Sequence, residues 1–243
     1  MHEQLPPLQV VVVAYGDPGA LERCLTPLVS SYPVTVIDNS SSTITRGVAE
    51  RLGAAYDDPG ENLGFGTAVN RVLARLSLPD VDVFLVNPDA VVEPDTVEAM
   101  RRALHEGPKV ACVAPFQRSP GSTKPSPVRW PFPTPAGAWT EAVGLGRLRH
   151  RWDYVIASIL CMNGAALSEV GGFDEGFFLY AEEADWERRA CERGWRVSYL
   201  EDVQALHVGA ATDSSPERQE IRFHAGMEHY VRKWHGAAGW RIY

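Results

Sequence analysis

The first half of the chain alternates short, almost solid apolar runs with stretches whose apolar residues fall three and four apart. Leu8 to Ala14 is a β-branched run and predicts a strand buried on both faces. Pro18 then opens a helical pattern through Leu21, Leu25 and Leu28, which Pro27 ends or kinks. Val34 to Ile37 predicts a second strand, cut off by the polar run Asp38 to Ser42, and Ala54 to Tyr56 a short third one. From Ala68 to Leu76 the apolar residues Val69, Val72, Leu73 and Leu76 share one helix face. Val81 to Val86 reads as a strand stopped by Asn87-Pro88, Pro94 to about Glu106 as a helix, and Val110 to Ala114 as another strand. This rhythm predicts an α/β fold, a mostly parallel central sheet with helices on both faces. Ligands in such sheets sit beyond the carboxyl ends of the strands. The segments there are Tyr15-Gly16-Asp17, Asp38-Asn39-Ser40 and Asn87-Pro88-Asp89.

Beyond residue 114 the pattern changes. Residues 115–135 hold seven of the eighteen prolines, too few backbone donors for a central strand or a helix, so a long loop is expected, either a lid or a plain linker. Val155 to Met162 predicts a strand leading into Asn163-Gly164, and Gly171 to Glu175 a turn. Glu182 to Arg193 predicts a helix ended by Gly194. Arg196 to Leu200 and Gln204 to Val208 look like strands. A last helix is expected from about Pro216 to Trp234, with Ile221, Ala225 and Tyr230 inward. The division is a single domain over 1–243: a first half at about 8–114, the proline-rich loop at 115–135, and a second half at about 136–243.

Composition narrows the class. At 243 residues, 45% hydrophobic and 22% charged, the chain is of ordinary globular type. Its net charge of −8 argues against a nucleic-acid partner, which needs a basic footprint. The longest apolar run, Val10 to Tyr15, is far short of the roughly 20 residues that span a bilayer. The opening Met1-His2-Glu3-Gln4 lacks the basic start and apolar block of a signal peptide, which predicts an intracellular protein. Cys24, Cys112, Cys161 and Cys191 lie far apart and read as reduced core thiols. All seven tryptophans fall at or after Trp130, so the two halves differ chemically.

Three constellations could carry chemistry. Gly64-Phe65-Gly66 begins a G-x-G, but Val69 stands at the third glycine position, and no G-x-x-x-x-G-K occurs. Asp89, just past a buried strand on a rigid proline turn, is placed to hold a hard divalent cation, with Asn87 adding a neutral oxygen. The same three residues also suit a plain turn. Glu182, Glu183, Asp185 and Glu187 put four acids in six residues at a helix start, behind Phe177-Phe178-Leu179-Tyr180. They complement the helix dipole, and Asp185 can pair with Arg189. Adjacent, partly desolvated carboxylates also acquire the raised pKa of a general base. His207 closes a strand before the small residues Val208 to Ala211. His224, His229 and His235 read as surface groups.

Five stretches in order carry a resemblance: Val10 to Tyr15, Val36 to Ser41, Asn62 to Gly66, Leu85 to Asp89, and Gly171 to Arg189. Together they resemble glycosyltransferase family 2, the inverting class on the GT-A fold, and its rhamnosyltransferase-like branch. The resemblance implies that Ala14 and Tyr15 line the base pocket, that Asp38 holds the base or ribose, and that Asn62, Gly64, Arg71 and Asn87 border the nucleotide-sugar. It implies Asp89, and with it His207, as contacts of Mg²⁺ or Mn²⁺ on the diphosphate. Glu183 falls at the catalytic base, with Glu182 and Asp185 as alternates. Asn87 replaces the first acid of the family's D-x-D, and Glu183 replaces the usual Asp.

The implied reaction moves a sugar from a dTDP- or UDP-sugar, with dTDP-rhamnose a candidate donor, to a hydroxyl of a sugar, glycan or other acceptor. It is a metal-assisted single displacement. A cytoplasmic enzyme is expected, acting on a soluble acceptor or at the inner face of the membrane. The nucleotide-sugar side falls in the first half and the acceptor side in the second, with Trp130, Trp139 or Trp186 near the acceptor and Trp195 in the core. The competing readings are a silent nucleotide-sugar-binding member of the same fold and a nucleotidyltransferase. The latter needs a basic residue in the first glycine-rich loop, and Tyr15 to Gly19 supplies none.

Overall fold

A computed structural model describes residues 5–144, 152–209 and 215–243. Met1–Gln4, which lack a signal-peptide pattern, and Ala210-Ala211 lie outside the described residues. The first half builds β1 (Leu8–Ala14), α1 (Pro18–Leu25), β2 (Val34–Asp38), α2 (Thr43–Leu52), β3 (Ala55–Asp57), α3 (Phe65–Leu73), β4 (Asp82–Val86), β5 (Ala90–Val91), α4 (Pro94–His105) and β6 (Val110–Arg118). The second half adds β7 (Arg129–Trp130), α5 (Pro135–Ala142), β8 (Tyr154–Val155), β9 (Ile159–Met162), α6 (Gly164–Val170), α7 (Glu182–Glu192), β10 (Arg196–His207) and α8 (Pro216–Ile242).

Among the described residues one sheet of eight strands runs β3-β2-β1-β4-β9-β6-β10-β5. β1 pairs in parallel with β2 and β4, β2 with β3, and β6 with β10, while β9 and β5 run antiparallel to their neighbours. The expected α/β class and mostly parallel sheet are what the chain adopts. Apolar clusters fill both faces. One packs Leu21, Leu25, Leu28, Met100 and Leu104 under β1 and β4; the other packs Val69, Val72, Leu167, Phe173 and Trp186 on the opposite side.

Several expectations are corrected. The 115–135 stretch is not one loop, because β6 runs through Pro115 to Arg118 in mid-sheet. β9 pairs with β6 only at Cys112 and Val113, so Pro115 lies past that ladder and its missing N–H costs no bond there. Val155 to Met162 is two strands, since β8 pairs with β7 while β9 joins the large sheet, freeing Ile156 to Ser158 between them. β10 is a single strand with a register shift between Leu200 and Gln204. α8 extends to Ile242 across non-helical backbone at Gly236. Tyr230 is buried, but Ile221 is 64% exposed and Ala225 is exposed too. The inward row is Gly226, Met227, Tyr230 and Val231.

All four cysteines are free thiols, three of them buried and Cys191 half-buried. Trp195 is core, as expected. Trp186 is fully buried and donates its indole N–H to the Gly171 carbonyl at 2.8 Å, so it is core and not a sugar platform. His229 and His235 are not simple surface groups. The His229 ring packs edge-on to Phe177 at 4.4 Å, and His235 Nε2 lies 3.2 Å from the Pro133 carbonyl.

Candidate active site

The carboxyl end of β4 and the far end of β10 meet because β5 pairs antiparallel with β10, setting His207 opposite Ala90. That register brings His207 Nε2 to 3.2 Å from Asp89 Oδ1, although 118 positions separate the two in sequence. The Gly209 N–H donates to Asp89 Oδ2 at 3.0 Å. Beside them the Asn87 N–H donates to the Ser158 carbonyl at 2.8 Å, tying the end of β4 to the start of β9. Asn87, Asp89, Ser158, Glu182, Glu183, His207 and Gln219 line a cleft of about 340 Å³.

The acids reach this cleft through an unusual turn. Tyr180 (φ 70°) and Ala181 (φ 68°) both adopt left-handed backbone, which costs a non-glycine residue of order 1–3 kcal/mol each. Two glycines hold the turn. A Cβ on Gly64 would collide with the Phe178 carbonyl, which instead accepts the Phe65 N–H at 3.0 Å; a Cβ on Gly226 would collide with the Tyr180 carbonyl. Gly64→Ala should therefore push the acid-bearing turn away. A displacement near 1 Å lowers transfer roughly a hundredfold, more than nucleotide affinity falls, as turnover and nucleotide titration would show.

Glu182 and Glu183, 3% and 9% exposed, start α7 side by side. Glu182 Oε2 and Glu183 Oε2 have no hydrogen-bond partner among the described residues. Burial pushes the Glu183 carboxyl up to about 7, while backbone N–H groups at the start of α7 pull the other way. Burial, and then repulsion by Glu183, pushes Glu182 well above the usual carboxylate range. Glu187, one turn on, is also raised by burial, and its Oε2 accepts the Val155 N–H at 3.0 Å, locking β8 onto α7.

Asp185 is differently placed. Arg189 binds one of its oxygens at 2.9 Å, and Lys233 (2.7 Å) and the Trp234 indole N–H (2.9 Å) bind the other. It ties α7 to α8 and is absent from the cleft lining. Glu183 alone of the four acids lines two spaces. Besides the cleft it borders a second cavity of about 280 Å³, walled by Trp130, Phe132, Tyr154 and Phe223.

The other predicted residues gather farther along the same sheet edge. Asp38 accepts from Ser40 N–H and Oγ, Ser42 N–H and Tyr56 Oη, so its carboxylate organises the loop after β2. Asn39 Nδ2 donates to the Gly64 carbonyl, and Asn62 Oδ1 accepts the Gly64 N–H, which fixes the strand-end loops to one another. Arg71 grips Asp57 with two bonds of 2.8 and 3.1 Å. Ala14 ends β1, and Tyr15 is 39% exposed beyond it. None of these six residues lines the acid cleft. Ser158 and Gln219, which line the cleft, and Gly226, which backs the turn, are positions that sequence reading missed. They come from a strand start and from α8, with no local motif to mark them.

The cleft lining contains no Lys or Arg among the described residues. A diphosphate there would need its charge met from elsewhere. The donor set of Asp89 carboxylate and His207 imidazole fits a divalent cation shared with phosphate oxygens, since hard cations bind through one or two carboxylates plus substrate phosphates. No group of three or more His, Cys, Asp or Glu forms a protein-only metal cage among the described residues.

The family profile described as Glycosyl transferase family 2 matches residues 9–169. The chain belongs to glycosyltransferase family 2. It is similar to N-acetylglucosaminyl-diphospho-decaprenol L-rhamnosyltransferase of Mycobacterium tuberculosis, 31% identical over 269 residues that cover 96% of this chain and 86% of the relative. It also resembles rhamnosyltransferase WbbL of Escherichia coli K12, 23% identical, with 88% of each chain covered. Among solved structures it superposes on the mannosyltransferase PcManGT of Pyrobaculum calidifontis, in complex with GDP-Man and Mn²⁺ (TM-score 0.68, 17% identity, 95% of this chain). The chain spans 64% of that protein's length. A second neighbour is glucosyl-3-phosphoglycerate synthase of Mycobacterium tuberculosis with Mn²⁺, UDP and phosphoglyceric acid (TM-score 0.59, 18% identity, 89% of this chain and 74% of the other). The chain is thus a rhamnosyltransferase-like glycosyltransferase of the GT-A fold.

Proposed function

We propose that the chain transfers a deoxyhexose of the rhamnose class from a nucleoside-diphosphate donor to an acceptor hydroxyl, inverting the anomeric centre, with Glu183 as the base. The observation that carries this reading is the position of Glu183, a buried acid raised to about 7 between the Asp89–His207 cleft and the aromatic cavity. An acceptor hydroxyl entering from the aromatic side gives its proton to Glu183, and its oxygen attacks the anomeric carbon. The nucleoside diphosphate departs on the cleft side, opposite the attack, and no covalent enzyme intermediate is required. A bound Mg²⁺ or Mn²⁺, held by Asp89 and His207, would supply the positive charge that offsets the charge growing on the leaving diphosphate. Glu182 lines only the cleft, so its raised carboxyl serves as a neutral wall beside the donor.

The relatives named as rhamnosyltransferases support a sugar of the rhamnose class; for its carrier the proposal takes a dTDP- or UDP-linked donor, dTDP-rhamnose first. The relative named for a decaprenol-linked substrate supports a lipid-linked acceptor, and the proposal places the transfer at the inner face of the membrane. No helix among the described residues is long and apolar enough to cross a membrane. A thermal-shift screen of nucleotide-sugars with and without Mn²⁺ tests the donor. We expect dTDP-rhamnose plus Mn²⁺ to raise the melting temperature by several degrees, as saturation near a hundredfold over Kd adds about 3 kcal/mol. No shift with any nucleotide or nucleotide-sugar contradicts the proposal. Measurable donor turnover separates an enzyme from a silent binding member of the fold.

A further inference from the structure

One face of α8 backs the turn that carries the acids. Gly226 meets the Tyr180 carbonyl at the left-handed pair. One turn on, the His229 ring lies against Gly176, where a Cβ would collide with it. A further turn on, the Lys233 ammonium lies 2.5 Å from Asp174 Oδ2 and 2.7 Å from Asp185 Oδ1. Spacings of three and four put Gly226, His229 and Lys233 on one side of the helix. Asp174 and Asp185 stand at the two ends of the segment that contains Tyr180, Ala181, Glu182 and Glu183. A single ammonium therefore closes that segment at its base. The same Nζ sits 5.9 Å from the ring centres of Phe177 and Trp234, within cation–π range. Burial works to raise the Asp174 carboxyl, yet the Lys233 and Gly176 N–H bonds hold it below its ordinary value, so this arm of the bridge is ionic.

We infer that Lys233 is a positioning residue of the reaction: by bridging Asp174 and Asp185 it holds the strained turn closed and keeps Glu183 at the wall between the two cavities. The inference rests on the assignment of Glu183 as the base. Lys233 borders neither the cleft nor the second cavity, so it acts through the turn and not on substrate. Two consecutive non-glycine residues in left-handed backbone favour opening, and such a conformation persists only where its surroundings over-determine it. The Asp185 end keeps Arg189 and the Trp234 indole N–H without Lys233, so its buried carboxylate is not left unpaired. What Lys233 adds is the link between the two ends. At the Asp174 end the other contacts are local or long: the Gly176 N–H at 2.8 Å and His229 Nε2 at 3.9 Å.

The test needs neither donor sugar nor acceptor. Titration of Glu183 is followed by carbon-13 NMR on the full chain with labelled glutamate, its resonance assigned with Glu183→Gln. The wild-type midpoint is expected near 7. Lys233→Met keeps the side-chain stem, and Asp174→Asn keeps an acceptor for the Gly176 N–H. Each is expected to bring the midpoint down to about 6 or below, as the loosened turn lets water reach the carboxyl. Loss of a positive charge acting through space would move it upward, so the sign separates displacement from a charge effect. The groups around Glu183 are Glu182 and Glu187 on α7, Asp89 and His207 across the cleft, and Glu141, Tyr154 and Tyr243 about the second cavity, and neither variant changes them. The double variant is expected to match Lys233→Met alone, because both substitutions cut one link. Affinity for dTDP with Mg²⁺ is expected to stay as in the wild-type chain. Asp174 is partly exposed, so its variant tests the link even where Lys233→Met folds poorly. A midpoint that stays near 7 or rises in Asp174→Asn or in folded Lys233→Met overturns the inference. So does a double variant whose shift is the sum of the two, or a fall matched by loss of dTDP affinity. A wild-type midpoint near 4.5 would instead overturn the reading of Glu183 as a raised base.

Discussion

Glu183→Gln is expected to lower sugar transfer by roughly 10²–10⁴-fold, the contribution typical of a positioned general base, while nucleotide binding stays as in the wild-type chain. The side chain keeps its volume and loses only its ability to take a proton. The same substitution has a second, opposite signature in stability. Folding raises the Glu183 pKa from its ordinary value of 4.5 to about 7, so the folded state holds that proton more tightly than the unfolded chain. The stabilisation this confers is complete below pH 4.5 and is lost as pH rises through 7. At pH 8 the wild-type chain thus carries a buried carboxylate at a cost of about 3 kcal/mol, and the Gln variant does not. Melting curves at pH 5 and pH 8 should place the Gln variant several degrees above wild type only at the higher pH. A less active but more stable variant is the mark of a site kept under strain for function. A Gln variant that transfers at the wild-type rate would remove Glu183 from the reaction.

Asp89→Asn is expected to reduce transfer by about a hundredfold or more, since charge stabilisation of a leaving group by a bound cation is worth several kcal/mol. Asparagine can still accept the Gly209 N–H, so the β5–β10 edge is expected to hold. The variant should also lose the part of the thermal shift that Mn²⁺ adds to nucleoside diphosphate. Retention of Mn²⁺-stimulated transfer would show that Asp89 does not hold the cation.

The first half of the fold was legible because its strands are solid β-branched runs whose burial on two faces leaves no other reading. α2 was hidden. Its Val48, Ala49 and Leu52 make a short apolar face, Ile44 is exposed, and the Ser42 cap sits in a serine run that reads as loop. Pro115 misled in the other direction, because a proline is harmless where one neighbouring strand has already ended, and only the register shows that. In α8 the inward face is set by Gly226, and a glycine carries no hydrophobic signal. Its lack of a Cβ lets the Tyr180 carbonyl approach.

The site divides the same way. Asp89 and the acids at the start of α7 stood out as charges beside apolar runs. Which acid faces the reaction did not, because Asp185 and Glu183 differ only in what lies across from them: Lys233, Trp234 and Arg189 for one, two open cavities for the other. The tryptophan asymmetry was informative in part. Trp130 lines the second cavity, Trp139 is exposed with its indole N–H on the Ile242 carbonyl at 3.0 Å, and Trp186 turned out to be core.

The central claim is that Glu183, buried and raised, accepts the acceptor's proton. It is tested most directly by the pH dependence of kcat for transfer from dTDP-rhamnose to a neutral glycoside. The rate should climb with pH and reach half its plateau near 7, where the Glu183 carboxyl loses its proton. A rate that is flat from pH 5 to 9, or that reaches half its plateau at the ordinary glutamate value of about 4.5, would contradict it.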